Sequence, residues 1–131
     1  AALKRLLDDF AHRTQIKTLL VNPPFNTTPS KAIATAVYRI VQECLSNITR
    51  HAKATRVEVE LFGSEQDLDL TVRDNGVGFA IDAAKQERQG LGLLNLRERA
   101  LAFHGTSRVQ SHPVQGTEIH VQLPLREPLS Q

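Results

Sequence analysis

Four polar side chains suited to chemistry cluster in the segment QECLSNITRHAKA, residues 42–54. Glu43, Asn47 and His51 follow one another at intervals of four residues, so on an α-helix they form one slowly drifting row along the edge of the apolar stripe. Arg50 adds a cation close to this row. A carboxylate, an amide and an imidazole in a row are suited to lining a polar cleft between helix and sheet. The alternative is a solvated helix flank with hydrogen bonds between successive turns.

A carboxylate stands where a core residue is expected in LDLTVRDNGVGFA, residues 68–80. Apolar and polar residues alternate there as in a half-buried strand, and Asp74 takes the next apolar position. An ionised carboxylate at such a position is costly unless it is hydrogen-bonded, and the exocyclic amino group of a heterocycle would suit it. Gly76 and Gly78 let the backbone come close to a ligand. The alternative is an Asp-Asn-Gly hairpin turn, but no strand-like run follows.

A second glycine cluster opens the segment GLGLLNLRER, residues 90–99. Gly90 and Gly92 precede a predicted helix, whose first N–H groups and positive dipole end suit a phosphate group. The alternative is simply a flexible helix start. The dinucleotide-binding fingerprint does not fit, because no strand of a βαβ unit immediately precedes these glycines. Later in the chain, Thr117 follows a glycine at the start of the last predicted strand, either as a ligand contact or as a β-former alone.

Apolar periodicity predicts the elements that must position these side chains. Helices are expected over residues 3–13, 28–51 and 92–103, and strands over 15–21, 57–61, 68–72 and 119–123. Thr28 is the predicted N-cap of the long helix, with Pro29 in its first turn. Alternating polar and apolar residues in the strands favour a mixed, mostly antiparallel sheet with one wet face. The predicted fold class is therefore α+β, a two-layer α/β sandwich with helices on one face of the sheet.

Length and composition limit the remaining possibilities. The 131 residues suit one domain, and a net charge of +2 is too small to indicate nucleic acid binding. Cys44 is the only cysteine, which excludes an internal disulfide, and no apolar run approaches the roughly 18 residues of a membrane span. Because the chain begins with Ala1, we expect a piece of a longer protein. The expected division is a linker helix end at 1–14, the main domain at 15–125 and a tail at 126–131.

Taken together and in order, these features resemble the ATP-binding fold shared by histidine kinases, gyrase, Hsp90 and MutL, known as the GHKL or Bergerat fold. QECLSNITRHAKA is similar to its N box, DNGVGF to its G1 box and GLGLLNLRERA to its G2 box. The glutamate at the start of the N box, RHAKA at its end and LRERA after the G2 glycines resemble the nitrate-sensor-type sensor histidine kinases. The resemblance covers roughly residues 30–125.

The resemblance implies that the domain binds ATP with Mg²⁺ and gives each matching residue a role. Asn47 would coordinate Mg²⁺, and a single amide oxygen is reasonable because Mg²⁺ takes few protein ligands. Glu43 would lie near the γ-phosphate as a base or a polarising group. Arg50 and His51 would face the phosphates or the ribose. Asp74 would accept a hydrogen bond from the amino group of adenine.

The remaining matches would surround the nucleotide. Two glycines of the G1 box would shape the adenine pocket: Gly76 and Gly78. Three residues of the G2 box would lie against the phosphates: Gly90, Leu91 and Gly92. Thr117 would support adenine, directly or through water. Residues 80–89 would form a short ATP lid, which agrees with the nitrate-sensor subgroup.

A complete histidine kinase also needs a phosphoacceptor histidine on a dimerising helix, in an acidic His-Asp context. None of the five histidines of this chain has that neighbourhood, and His12 is interpreted as part of the linker helix. The resemblance therefore implies a catalytic domain, monomeric by itself, that transfers the γ-phosphoryl group of ATP to a separate dimerisation domain for relay to a response regulator. It implies a cytoplasmic domain without membrane or nucleic acid contacts, in a parent protein compatible with an inner-membrane sensor.

Other functions share parts of this pattern. An anti-sigma-factor-type serine kinase has the same fold, but RHAKA and LRERA argue against it. A degenerate nucleotide-binding or interaction module is not expected to keep all the motifs. A gyrase- or Hsp90-type ATPase needs much longer flanking domains. The predicted enzyme class is therefore protein histidine kinase.

Overall fold

The computed structural model describes residues 2–25, 28–76, 93–112 and 116–125. Within these ranges the helices are α1 at Ala2–Thr14, α2 at Lys31–Asn47 and α3 at Leu93–Ala102. The strands are β1 at Lys17–Val21, β2 at Arg56–Gly63, β3 at Asp67–Asp74, β4 at Thr106–His112 and β5 at Gly116–Pro124. A π-helical segment at Ile48–Ala52 continues α2. No helix of the described ranges is long and apolar enough to cross a membrane.

The strands form one sheet in the order β1-β2-β3-β5-β4. β1 and β2 pair in parallel, and the three other pairs are antiparallel. A short turn joins β2, which ends at Gly63, to β3, which begins at Asp67. The predicted mixed, mostly antiparallel sheet is confirmed.

Helices cover one face of this sheet. The buried strand residues are those that the alternation assigns to the inner face: Val57, Val59, Leu61, Leu68, Leu70, Val72, Ile119, Val121 and Leu123. The predicted stripe of α2 and its extension is buried against them: Ile33, Val37, Ile40, Val41, Cys44 and Ile48. Leu7 and Phe10 of α1 and Leu96 and Ala100 of α3 join the same core. One continuous core between two layers confirms the predicted α+β sandwich.

The opposite face of the sheet carries charged side chains. Arg73 on β3 forms ion pairs with Glu60 on β2 and with Glu118 on β5, the latter at 2.7 Å between Nε and Oε2. His120 also pairs with Glu118. The Arg73 hydrogen bond holds the pKa of Glu118 below its ordinary value. The wet face is therefore held together across three strands by side-chain charges.

The start of α2 differs from the prediction. Thr28 is not the N-cap; Ser30 is, and its Oγ accepts the N–H of Ile33 at 3.2 Å. The backbone is still extended at Ser30, as is usual for an N-cap residue, and the Ser30 N–H donates to the carbonyl of Leu125 at 2.9 Å. Pro29 therefore precedes the cap instead of lying in the first helical turn.

Strand β4 was not predicted. It contains one large apolar residue, Val109, so its sequence shows no clear alternation. The strand lies at the edge of the sheet, bonded to β5 alone among the described strands. An edge strand needs fewer apolar side chains than a central one, and polar residues there discourage pairing with another chain.

Candidate functional site

One end of the sheet brings two of the predicted site residues together. Asp74, the last residue of β3, lies opposite Val57 on β2 and Thr117 on β5. Val57 and Thr117 are buried. Residues directly opposite each other point to the same face of a sheet, so Asp74 faces the helix layer with them. The alternation of apolar and polar residues along β3 predicts this orientation of Asp74.

The carboxylate of Asp74 is partly buried and accepts hydrogen bonds from the backbone. Its Oδ1 accepts the N–H of Gly76 at 2.9 Å, and the backbone N–H of Thr117 also donates to it. Burial raises the pKa of Asp74 above its ordinary value, and these two hydrogen bonds oppose the rise. Burial also raises the pKa of the Cys44 thiol on α2 to about 12, with smaller contributions from the charges of Glu43 and Asp74. Asp74 is thus within electrostatic reach of the C-terminal half of α2.

Asn47, the last residue of α2, has a side-chain amide that is unpaired among the described residues. The residue is 9% exposed, and neither Oδ1 nor Nδ2 has a hydrogen-bond partner among the described residues. A buried polar group left unpaired costs about 1 to 3 kcal/mol, so such a group in a native fold indicates an ion, a ligand or water. The amide oxygen fits Mg²⁺, which prefers oxygen ligands and keeps waters and substrate phosphates in its coordination shell.

Glu43 and Arg50, two other residues predicted on the helix side of the site, differ in exposure and contacts. Glu43 is partly buried one turn before the end of α2. Arg50 is exposed, and its Nη2 donates to Ser46 Oγ at 2.7 Å. The prediction of a regular helix as far as residue 51 is wrong, because Ile48–Ala52 is π-helical. The wider turns of a π-helix change the angular spacing between Asn47 and His51. The His51 side chain lies outside the described residues.

The start of β5 closes the same end of the sheet. Thr117 Oγ1 and Ser111 Oγ form a buried hydrogen bond of 2.9 Å. Gly116 has a φ of +96°, and a Cβ there would lie 2.1 Å from the carbonyl oxygen of Asp74. Glycine is therefore required for β5 to pack this closely against the end of β3. The contact of Thr117 with a nucleotide stays a prediction.

Asn75 received no role from the sequence alone, yet its side chain connects two parts of the site. Its Oδ1 accepts the N–H groups of Thr55 at 3.0 Å and Arg56 at 2.9 Å. Its Nδ2 donates to Thr55 Oγ1 at 2.9 Å. The only sequence signal was the preference of asparagine for turns, which does not identify distant partners.

Several predicted residues lie outside the described ranges: Gly78, Gly90, Leu91 and Gly92. The predicted lid at 80–89 also lies outside them. The roles of these residues stay predictions, as do those of Glu43, Arg50 and His51.

Comparison with known families identifies the chain. Residues 32–127 match the family described as histidine kinase-, DNA gyrase B- and HSP90-like ATPase. The chain belongs to this ATPase family. The match covers α2 from its second residue through Asn47, and it covers the sheet end that holds Asp74 and Thr117. It therefore confirms the family that the N, G1 and G2 boxes indicated.

Curated relatives of this ATPase-family domain include bacterial sensor proteins. Sensor protein VraS of Staphylococcus saprophyticus is 44% identical over 97 residues, which are 74% of this chain and 27% of that protein. Sensor protein VraS of Staphylococcus epidermidis is 38% identical over 125 residues, which are 95% of this chain and 35% of that protein. The chain thus spans about a third of the length of these relatives.

Solved structures of histidine kinases share the fold of the domain. The Erythrobacter litoralis EL346 blue-light activated histidine kinase superposes with a TM-score of 0.76 at 22% identity, over 94% of this chain and 40% of that chain. The mycobacterial sensor histidine kinase MprB superposes with a TM-score of 0.71 at 23% identity, over 97% of this chain and 94% of that chain. Together with the family match and the VraS relatives, this likeness confirms the predicted resemblance to the ATP-binding domains of sensor histidine kinases.

Proposed function

We propose that this domain binds ATP with Mg²⁺ and transfers its γ-phosphoryl group to a histidine on a separate dimerisation domain of a two-component sensor kinase, for relay to a response regulator. The observation that carries the proposal is the buried Asn47 amide, unpaired among the described residues, on the helix that lies within electrostatic reach of Asp74. Family membership and the similarity to VraS support the kinase assignment.

The base of ATP is proposed to bind at the sheet end. Asp74 is a partly buried carboxylate with capacity for a further donor, and the amino group of adenine supplies one. A charge-assisted hydrogen bond of this kind is stronger than a neutral one. Gly76 and Gly78 would leave room for the purine ring, and Thr117 would support it directly or through water.

The phosphates are proposed to bind at the end of α2. Asn47 would hold Mg²⁺ through Oδ1, and the bound ion would neutralise phosphate charge. Glu43 would stand near the γ-phosphate as a base or polarising group. Arg50 and His51 would face the phosphates or the ribose, which for Arg50 requires release from its bond to a neighbouring serine. The predicted lid would close over the phosphates together with the G2 residues: Gly90, Leu91 and Gly92.

The proposed reaction is a direct phosphoryl transfer. A ring nitrogen of the acceptor histidine attacks the γ-phosphorus, the bond to the β–γ bridging oxygen breaks, and ADP leaves with its electron pair. The domain contributes positioning and charge neutralisation, as in phosphoryl transfer generally. We assign this activity to residues 15–125 of a catalytic domain that is monomeric by itself and located in the cytoplasm, where ATP is supplied. Residues 1–14 would connect it to the rest of a sensor protein.

A binding experiment tests the metal role of Asn47. Calorimetry with an ATP analogue, with and without Mg²⁺, compares the wild type with Asn47→Ala and Asn22→Ala. Asn22 follows β1 at the opposite end of the sheet and serves as the matched control. Mg²⁺ is expected to increase the affinity of the wild type and the control, and to have no effect on Asn47→Ala. A full Mg²⁺ effect in Asn47→Ala would contradict the role.

A transfer experiment tests the reaction. Labelled ATP is added to the domain alone, and to the domain mixed with the dimerisation domain of its own parent protein. Acid-labile label is expected on the dimerisation domain and not on the chain alone. Acid-stable label on a serine would favour the serine kinase alternative, and ATP binding without any transfer would favour a non-catalytic module. Acid-labile label on His12 would contradict the proposal that the acceptor lies on another domain.

A further inference from the structure

The side chain of Asn75 makes three hydrogen bonds to the segment that enters β2. Oδ1 accepts two N–H groups, from Thr55 and Arg56, and Nδ2 donates to Thr55 Oγ1. The Asn75 backbone N–H also donates to the carbonyl of Arg56, at 3.3 Å. Asn75 is itself exposed, so these bonds are not a by-product of core packing. A surface side chain fixed at this many points has lost much of its rotamer freedom, and the bonds must offset that loss.

The segment held by Asn75 is the direct continuation of the helix that carries Asn47. Only Lys53 and Ala54 separate the π-helical segment from Thr55. Lys53 has a left-handed φ of 51°, so the chain turns sharply there before it enters the sheet. Ala54 is buried, and the carbonyl of Thr55 accepts the N–H of Lys17 at 3.0 Å. Two residues, one of them buried, therefore connect the helix end to Thr55, whose own carbonyl is bonded to β1.

On its other side, Asn75 is the residue between Asp74 and Gly76. The Gly76 N–H is bonded to Asp74 Oδ1, so the turn is closed through the carboxylate assigned to the base. The hydrogen bonds of the Asn75 side chain hold the same turn without occupying the Asp74 carboxylate. The packing of Gly116 supports the same geometry, because a Cβ on Gly116 would lie 3.2 Å from the Cα of Asn75.

We propose that Asn75 is a positioning residue for the nucleotide, and the inference rests on the proposed function. Its amide fixes the distance between the Asp74 turn and the end of the Asn47 helix. A single ATP molecule has to satisfy both groups at once, with its base at the turn and its phosphates at the helix end. Asn75 touches neither part of the ligand; it sets the span that the ligand must match.

The test compares a ligand that spans both groups with one that reaches only the turn. Affinities for a non-hydrolysable ATP analogue with Mg²⁺ and for adenosine are measured by calorimetry on the wild type, Asn75→Ala and Asn75→Asp. Asn75→Ala is expected to bind the ATP analogue at least about tenfold more weakly, because three hydrogen bonds are lost. Its affinity for adenosine is expected to fall less than about threefold, since one contact region suffices for adenosine. Asn75→Asp keeps both N–H acceptors and can accept the Thr55 hydroxyl, so it is expected to restore most of the affinity.

Ser64→Ala is the matched control. Ser64 Oγ makes a similar clamp at the opposite end of the same two strands, where it accepts the N–H of Asp67 at 3.1 Å and donates to its carbonyl at 3.2 Å. Loss of that clamp is expected to leave both affinities unchanged. Wild-type affinity of Asn75→Ala for the ATP analogue, or an equal proportional loss for both ligands, would overturn the positioning role.

Amide hydrogen exchange on the domain without ligand separates this inference from the proposed function. The Thr55 and Arg56 amides are expected to exchange faster in Asn75→Ala, while the amides at the Ser64 turn keep wild-type rates. Thr55→Val, which removes one of the three side-chain bonds, is expected to give a smaller increase at the same amides, and it serves as the second variant if Asn75→Ala folds poorly. If exchange at the Thr55 and Arg56 amides is unchanged in Asn75→Ala, Asn75 does not hold this segment, and the positioning role is overturned even if ATP binds. A wild type that binds neither ligand contradicts the proposed function and, with it, the positioning role.

Discussion

Replacing Asp74 with asparagine is expected to separate the stability of the domain from its affinity for ATP. The Asp74→Asn variant keeps an oxygen able to accept the Gly76 N–H, but it loses the negative charge that burial disfavours. Because burial raises the pKa of Asp74, the folded domain binds this proton more tightly than the unfolded chain does. Ionisation of Asp74 therefore lowers the free energy of unfolding as the pH rises from the unfolded pKa through the folded pKa. Relative to the wild type, the variant gains stability over that window and keeps the gain at higher pH.

The affinity for ATP is expected to change in the opposite direction. Hydrogen bonds to charged groups contribute about 1.5 to 3 kcal/mol, more than neutral ones. In the variant, the amide oxygen is already engaged by Gly76, and the amide nitrogen presents a donor to the donor of adenine. Since about 1.4 kcal/mol corresponds to a factor of ten, loss of this bond weakens binding by roughly 10- to 150-fold.

Two measurements check the prediction for Asp74. Calorimetry with an ATP analogue gives the affinity, and chemical denaturation between acidic and neutral pH gives the free energy of unfolding. Asp69→Asn is the control, because Asp69 is an exposed carboxylate on the opposite face of the same strand. The control should bind like the wild type. An Asp74→Asn variant that folds and binds ATP within about twofold of the wild type would refute the assignment of Asp74 to the adenine amino group.

Two further substitutions test the architecture around the site. Gly116→Ala is expected to lower the free energy of unfolding by more than about 1 kcal/mol, because its Cβ would collide with the Asp74 carbonyl at a positive φ; an unchanged denaturation midpoint would argue against this packing. Glu118→Gln removes a carboxylate whose pKa is held low by the Arg73 hydrogen bond. The variant is expected to have a lower free energy of unfolding than the wild type. The difference should be full above the unfolded pKa of Glu118 and should shrink as the pH falls through the folded pKa. A difference independent of pH in denaturation experiments would contradict the role of that ion pair.

The inner faces of the sheet and of α2 could be read from the sequence because burial repeats with the period of the element. Leu68, Leu70 and Val72 alternate along β3, and that alternation alone places Asp74 on the helix side. Strand β4 escaped this reasoning because an edge strand with the single apolar residue Val109 has almost no alternation to detect. The alternation of apolar and polar residues predicts a strand where one face of the strand is buried. It gives no signal where neither face is buried.

Two other features depend on partners that are distant in the sequence. Ser30 rather than Thr28 caps α2, and the Ser30 N–H is bonded to the carbonyl of Leu125, 95 residues further along the chain. Asn75 reads as an ordinary turn residue until folding brings Thr55 beside it, 20 residues earlier in the chain. Local sequence preferences do not predict contacts between residues this far apart in the chain.

The Asn47 amide, buried and unpaired within the part of the chain that the structure describes, has a consequence for the lifetime of the protein. Without ligand, the folded domain carries a buried amide that has no hydrogen-bond partner among the described residues, and it carries the charge of Asp74, which burial disfavours. Both features lower the stability of the empty form. A ligand that binds only the folded form adds stability, about 2.7 kcal/mol at a concentration one hundred times its dissociation constant. Proteases act mainly on unfolded chains, so degradation is expected to slow when nucleotide is abundant. The cellular concentration of nucleotide would then affect the amount of folded domain in the cell, as well as its rate of phosphoryl transfer.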